Sequence, residues 1–268
     1  MKVREKVVLV TGGGNGIGRE VVLDALRRGA RVAAADIRQD SLDATTVLAG
    51  AGDRLSTHTV DITDRSATHA LPEAVIAAHG TLDGMINCAG IIQPFVRLND
   101  LEYEDIERVI NVNLYGTIHM VKAVLPHLLE RPVAHIANVS SMGGFLPVPG
   151  QTIYGASKAG VKLMTEGLYA ELLDTNVGVS VVFPGAVATD IASNSGVGAP
   201  GGIESAEESN FPTTSPEDAA RILLDGIEDD QLHIYVGRDA RMMNLLNRAA
   251  PKRSTHIIYK QMKELLGS

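Results

Sequence analysis

A serine, a tyrosine and a lysine stand at spacings that suit proton transfer. Tyr154 follows Ser141 by thirteen residues and Lys158 follows Tyr154 by four, within SMGGFLPVPGQTIYGASK. Positions four apart on a helix share one face about a turn apart, so Tyr154 and Lys158 would stack. An ammonium beside a phenol favours phenolate and would bring a tyrosine pKa of about 10 toward the working pH. Such a tyrosine can give a proton to a carbonyl or take one from an alcohol. The neutral Ser141 hydroxyl can hold the same oxygen. The Tyr-x-x-x-Lys spacing alone is weak evidence, and its weight comes from the elements around it.

Foremost among these is TGGGNGIG, Thr11 to Gly18, which falls between a strand-like run and a helix-like one. Backbone without a Cβ at Gly12, Gly16 and Gly18 can turn tightly and approach a pyrophosphate set against the helix N-terminus. The next strand-like run, RVAAAD, ends in Asp36. Its carboxylate can accept hydrogen bonds from both hydroxyls of an adenosine ribose and would repel a 2′-phosphate. Asn15, rather than a basic residue, precedes Gly16, so the reading is NAD(H) over NADP(H). Arg38 dissents, being near enough to meet such a phosphate.

The elements that must position these residues alternate. Val7–Val10, Arg31–Ala35, Leu55–Val60, Met85–Cys88, His135–Val139 and Val177–Phe183 are strand-like. Gly16–Arg28, Leu42–Ala49, Ser66–His79, Asp105–Leu129 and Thr152–Leu173 are helix-like, with Pro126 expected to kink the long fourth helix. Ser215, Pro216, Glu217 and Asp218 open a further helix with a capping hydroxyl, proline and first-turn acids. The alternation predicts an α/β fold, a Rossmann-like doubly wound parallel sheet of about seven strands flanked by helices. No repeat or linker interrupts it, so one domain over 1–268 is expected.

Composition narrows the function. The chain has 268 residues, 45% hydrophobic, with net charge −8 and a pI near 5.5. An acidic chain argues against a nucleic-acid partner held through phosphates. No apolar run nears about 18 residues, and MKVREK does not begin a signal sequence. The lone Cys88 cannot form an intrachain disulfide and fits a reducing cytoplasm, the expected location. Its strand-like neighbours make it a small core residue. The eight histidines lack paired ligand spacing, so no metal site is expected.

Two segments break the rhythm. Ser193–Thr214 is rich in Gly, Ser, Glu and Pro and follows the sixth strand, where ligands bind in such folds. A substrate loop over about 190–214, closing as a lid, is expected there. Phe211 is its one aromatic, and Gln93, Pro94 and Phe95 are further candidates to line the pocket. The tail, 238–268, combines seven basic residues with apolar Met242, Met243, Leu245, Leu246, Ile257, Ile258, Met262 and Leu265. It reads as a helical extension packed on the domain or on a second subunit. A membrane-surface helix is the alternative.

The chain resembles the short-chain dehydrogenase/reductase family, single-domain type, from about Lys6 to Tyr235. The motifs stand in family order: TGGGNGIG, Asp61 after the third strand, NCAG at Asn87, NVNLYG with Asn113, NVSS ending in Ser141, YGASK, and PGAVAT from Pro184 to Thr189. The resemblance implies a nicotinamide cofactor cradled by Gly12, Asn15, Gly16, Ile17 and Gly18. Asp61 and Ile62 would contact adenine, and Asn87, Ala89 and Gly90 would border the ribose and adenine. Val187 and Thr189 would bind the carboxamide, and Pro184 and Gly185 beside them would also meet the cofactor. Tyr154 would be the general acid/base, with Lys158 holding the nicotinamide ribose and lowering the tyrosine pKa. Ser141 would orient the substrate oxygen; Ser140 is the other hydroxyl at hand, but the thirteen-residue separation from Tyr154 favours Ser141. Asn113 would shape the helix backbone around a water linking Lys158 to solvent.

The expected activity is therefore reversible hydride transfer that interconverts an alcohol, secondary alcohols foremost, and its ketone or aldehyde, with NAD(H). The alternatives are an NADP(H)-dependent carbonyl reductase, a membrane-surface dehydrogenase for steroid- or retinoid-like alcohols, and an NAD(H)-sensing binding protein without turnover. Many relatives end soon after their seventh strand in a turn that helps build a tetramer. Here LHIYVGRDA leads on into the tail, so a homo-oligomer, dimer or tetramer, is all that is expected.

Overall fold

The computed structural model describes residues 1–197 and 213–262. The first strand, β1 (Val7–Thr11), is buried along its whole length, as its unbroken apolar run requires of a strand covered on both faces. Its glycine turn leads into α1 (Gly16–Arg27), then β2 (Arg31–Asp36) and α2 (Gln39–Ala49). Next come β3 (Leu55–Thr59), α3 (Arg65–His79) and β4 (Gly84–Asn87). The strands among the described residues form one seven-stranded sheet, ordered β3-β2-β1-β4-β5-β6-β7. Every pairing in it is parallel.

The second half adds α4 (Tyr103–Ile110), α5 (Thr117–Leu129), β5 (Ala134–Val139), α6 (Thr152–Glu171) and β6 (Val177–Pro184). It continues through the short α7 (Ile191–Asn194), α8 (Pro216–Glu228) and β7 (His233–Val236). Ser215 caps α8 as read from its sequence, its Oγ accepting from Asp218 N at 3.1 Å. The tail folds as α9 (Arg238–Ala249) and α10 (Pro251–Met262).

Alternation along β1 divides the core. Val8 and Val10 face Val21, Ala25, Leu42, Leu223 and Leu224 of α1, α2 and α8. Val7 and Leu9 face Leu71, Val75, Met120, Val124 and Leu168 of α3, α5 and α6. Full burial of each such side chain stabilises by about 1.5–3 kcal/mol, so both sheet faces are firmly clamped. Because β1 has β2 on one side and β4 on the other, the winding reverses between β1 and β4. A crevice opens there at the carboxyl ends of the strands, the switch point where ligands bind in open α/β sheets.

The long fourth helix differs from its sequence reading. It starts at Tyr103 rather than Asp105, and a π-helical turn at Asn111–Gly116 separates α4 from α5. Gly116 lies where Ile62 crosses, and a Cβ there would sit 2.6 Å from Ile62 Cδ1. The extra residue per turn alters the facing of NVNLYG, a deviation that often marks functional sites. Most of the expected substrate loop, including Phe211, lies outside the described residues. No helix of the described residues is long and apolar enough to cross a membrane.

Candidate active site

The glycine loop closes β1 onto α1 by contacts that admit no side chain. Gly12 has φ +69°, and a Cβ on it would lie 2.9 Å from Ala89 N; one on Gly18 would lie 2.1 Å from Gly12 O. Asn15 caps α1, its side chain accepting from Gly16 N at 2.7 Å. The next N–H groups of the helix have no intrahelical acceptor and carry the positive end of its dipole. Asp36 ends β2 beside them. Its Oδ2 accepts from Gly14 N at 3.0 Å and its Oδ1 from Arg38 N at 3.1 Å. The carboxylate is thus held in place by backbone.

A cavity of about 580 Å³ opens in front of these groups. Gly12, Asn15, Gly16, Ile17 and Gly18 form its floor, and Asp36, Asp61 and Ile62 lie along it with Ala89, Gly90 and Thr189. The bare cradle, the orphaned helix N–H groups and a carboxylate at its far end fit a dinucleotide. Arg38 also lines the cavity, and its guanidinium donates to Asn194 Oδ1 at 2.9 Å. Asn87 is not at the surface of this cavity. It is buried beneath, donating to Asn138 Oδ1 at 2.8 Å and accepting from Thr11 Oγ1 at 3.3 Å. Cys88 packs against the core as its sequence reading expects, but it is half-buried and also lines the cavity. Desolvation pushes its thiol up to about 12, against an opposing pull from Lys158, so it stays an unreactive thiol.

Tyr154 and Lys158 lie on the first two turns of α6, beside the loop after β5. Lys158 is buried and donates from Nζ to Val139 O at 3.0 Å. The ammonium stands 6.0 Å from the centroid of the Tyr154 ring. Ser141 Oγ accepts from Gly143 N at 3.0 Å. A Cβ on Gly143 would lie 3.4 Å from both Ser141 Oγ and Tyr154 Cε1, so serine and phenol meet across that glycine. Ser140 instead donates to Lys158 O at 2.7 Å and is spent on structure. Burial brings Lys158 down to about 8, with the nearby Cys88 opposing.

The expected depression of the Tyr154 pKa is not found. Burial raises it above 10.0, and hydrogen bonding to Ser141 only partly offsets this. Lys158 is not among the groups that shift it, and its ammonium donates to Val139 O.

Asn113 sits on the π turn and is fully buried. Its Oδ1 accepts from Ile91 N at 2.9 Å, and its Nδ2 donates to Ile91 O at 2.9 Å and to Ser157 Oγ at 3.0 Å. Ser157 in turn donates to Tyr154 O at 2.7 Å. The Asn113 carbonyl accepts from Thr117 Oγ1 at 2.7 Å. Ser141, Tyr154 and Lys158 are not among the residues that line the cavity, and Gly90 stands between it and Lys158. A Cβ on Gly90 would lie 3.0 Å from Lys158 Nζ and 3.3 Å from Asn113 Oδ1, while Gly90 also borders the cavity.

Gln93 has a part that the sequence did not reveal. It is fully buried, and its Oε1 accepts from Ile153 N at 2.8 Å and from Tyr154 N at 3.0 Å. It therefore caps α6 from sixty residues away, in place of Gln151, whose side chain makes no capping bond. Gln151 Nε2 returns a bond to Gln93 O at 2.9 Å. Pro184 ends β6, paired with Val236, and Gly185 and Val187 follow on the loop that runs toward Thr189. Val187 bridges to Thr214.

A sequence model described as short chain dehydrogenase matches residues 6–198. SadH of Mycobacterium tuberculosis, named as an oxidoreductase, is 36% identical over 250 residues, covering 91% of this chain and 90% of that protein. A short chain dehydrogenase/reductase from Burkholderia phymatum, solved in complex with NAD, is similar at TM-score 0.84 and 25% identity, over 94% of this chain and 96% of its own. A short chain dehydrogenase from Burkholderia cenocepacia J2315, in complex with NADP, is similar at TM-score 0.81 and 25% identity, over 96% of this chain and 99% of its own. A match this long, on a sheet with this winding and this crevice, makes the chain a member of the short-chain dehydrogenase/reductase family of oxidoreductases, which bind a nicotinamide cofactor.

Proposed function

We propose that the protein is an NAD(H)-dependent oxidoreductase that interconverts an alcohol, secondary alcohols foremost, and the corresponding ketone or aldehyde, with Tyr154 as general acid/base. The observation that carries this reading is Gly90, which borders the cavity and where a Cβ would lie 3.0 Å from Lys158 Nζ and 3.3 Å from Asn113 Oδ1. It makes the dinucleotide cradle and the buried tyrosine–lysine pair two ends of one cleft. When bound, the cofactor supplies the hydride acceptor for oxidation or, reduced, the hydride donor for reduction.

The protein's own part is position and proton transfer. Gly12, Asn15, Gly16, Ile17 and Gly18 would hold the pyrophosphate, and Asp36 the adenosine ribose. Asp61, Ile62, Ala89 and Gly90 would wall the adenosine half, with Asn87 supporting that wall from beneath. Pro184, Gly185, Val187 and Thr189 would meet the carboxamide half. Ser141 holds the substrate oxygen against Tyr154. The phenol, kept protonated at neutral pH by burial, gives its proton to a carbonyl in reduction. In oxidation it must first be deprotonated to take one from the alcohol. Lys158 holds the ribose end, and Asn113 fixes the backbone around it.

Asp36 favours NAD(H). Arg38 supports NADP(H) as the second reading, since it stands on the same cavity wall. Exposed Tyr115, Leu163 and Leu173 support association into a homo-oligomer. Tyr154→Phe tests the assignment: turnover on a panel of alcohols and ketones, followed by NADH absorbance, should fall by about 10³-fold, while NADH affinity stays within about twofold. Undiminished turnover in the variant would refute the role of Tyr154. Wild-type protein that binds NADH but turns over nothing on the panel would favour a binding protein instead.

A further inference from the structure

The tail touches both loops that flank the reaction end. Met243 and Ile258, on α9 and α10, pack on Leu146 with Met142 and Phe145, just beyond Ser141. Asn247 Nδ2 donates to Phe145 O at 2.7 Å. On the other side, Asp239 in the first turn of α9 reaches the PGAVAT loop, where its Oδ2 accepts from Ala186 N at 3.0 Å.

The fit around that carboxylate is close. A Cβ on Gly185 would lie 2.2 Å from Asp239 Oδ2, and one on Gly237 would lie 2.3 Å from Oδ1. Gly237 also has φ +94°, a conformation that turns the chain from β7 into α9 and that side chains disfavour. Gly185 N ties the start of the loop to Val236 O at 2.9 Å, and beyond it Thr214 donates from N to Ala186 O at 2.8 Å and accepts at its carbonyl from Ala188 N at 3.0 Å. Three residues beyond Ala186, Thr189 lines the cavity, its Cγ2 3.5 Å from where a Cβ on Gly16 would stand.

A first-turn acid also stabilises its own helix through the dipole, and that alone would give Asp239 no part in the site. The two glycines argue for more. Side chains are absent at both positions where one would displace the carboxylate from Ala186 N.

We propose that Asp239 is a positioning residue, delivered by the C-terminal tail, that holds the Gly185–Val187 backbone in register to receive the nicotinamide half of the cofactor. The inference rests on the proposed oxidoreductase reading. It predicts that the two halves of the dinucleotide respond differently to one substitution. ADP-ribose carries the adenosine half and lacks the nicotinamide; NADH carries both.

Calorimetric titration of full-length Asp239→Ala should show NADH affinity reduced about tenfold, as expected when a charge-assisted hydrogen bond ordering a binding loop is lost. ADP-ribose affinity should stay within about twofold of wild type. Asp239→Asn, which keeps an acceptor for Ala186 N, should restore most of the NADH affinity. If Asp239→Ala does not fold, Gly185→Ala breaks the same contact from the loop side and must give the same split. Equal loss of both ligands, or loss of neither, would overturn the role of Asp239. A wild type that bound neither ligand would instead bring down the oxidoreductase reading beneath it.

Discussion

The two ends of the cleft are built by different physics. At the adenosine end the groups on offer are mostly backbone: the α1 N-terminus, glycines that leave the chain bare, and Asp36 held by the N–H groups of Gly14 and Arg38. At the reaction end the groups are buried side chains tied to one another: Asn113 to Ser157, Ser157 to Tyr154, Gln93 to the first turn of α6, Lys158 to Val139. An open cradle can bind a flexible ligand with little reorganisation. Proton transfer needs atoms fixed within a fraction of an ångström, and a packed, hydrogen-bonded network holds them so. Substitutions at the reaction end should therefore lower kcat and alter stability, whereas those at the adenosine end should alter affinity alone.

Among the residues that support Tyr154, the largest departure should come from Lys158→Met, with turnover reduced by about 10²-fold or more. Its effect on stability runs the other way. Lys158 titrates near 8 in the fold against an ordinary 10.5, so the folded chain binds fewer protons here between those values. The penalty for burying the charge is thus complete below the folded value and fades as pH rises toward the unfolded one. The lost bond to Val139 O subtracts an amount that does not depend on pH. Thermal melts should therefore show the difference between variant and wild type most favourable to the variant at pH 7 and shrinking toward pH 10. A difference that grew with pH would contradict the burial of a charged lysine.

Gln93→Met comes next. Loss of the acceptor for Ile153 N and Tyr154 N should lower kcat by about tenfold with KM for the dinucleotide unchanged, and cost about 1–2 kcal/mol in urea unfolding. A change confined to KM would erase the distinction between the two ends. The smallest effect is expected from Asp36→Ala, with KM for NAD raised about tenfold, KM for NADP lowered, and kcat and melting temperature nearly constant. A wild type that already prefers NADP would make Arg38, not Asp36, the governing residue.

The adenosine end was legible because its determinants are local. A strand, a glycine turn, a helix and an acid at the end of the next strand lie within thirty residues, each with its own conformational signature. The parallel sheet was legible for the same reason, from unbroken apolar strands such as VVLV alternating with helical spacing. The reaction end was legible only in its spacing. Nothing near Gln93 signals that it caps a helix sixty residues on, and NVNLYG has no periodicity that distinguishes a π turn from an α-helix. The direction of the Tyr154 pKa was misread for a related reason. Sequence placed Lys158 one turn away, but not the competing acceptor at Val139 O or the depth of burial.

The account turns on Tyr154 as the group that moves the proton, and the pH dependence of turnover in both directions tests it most directly. Alcohol oxidation requires the phenolate and ketone reduction the phenol, and burial keeps the phenol favoured. The predicted result is an oxidation rate that climbs into the alkaline range while the reduction rate declines there, both governed by one ionisation that disappears in Tyr154→Phe. Parallel pH dependence in the two directions, or the same ionisation persisting in the variant, would contradict it.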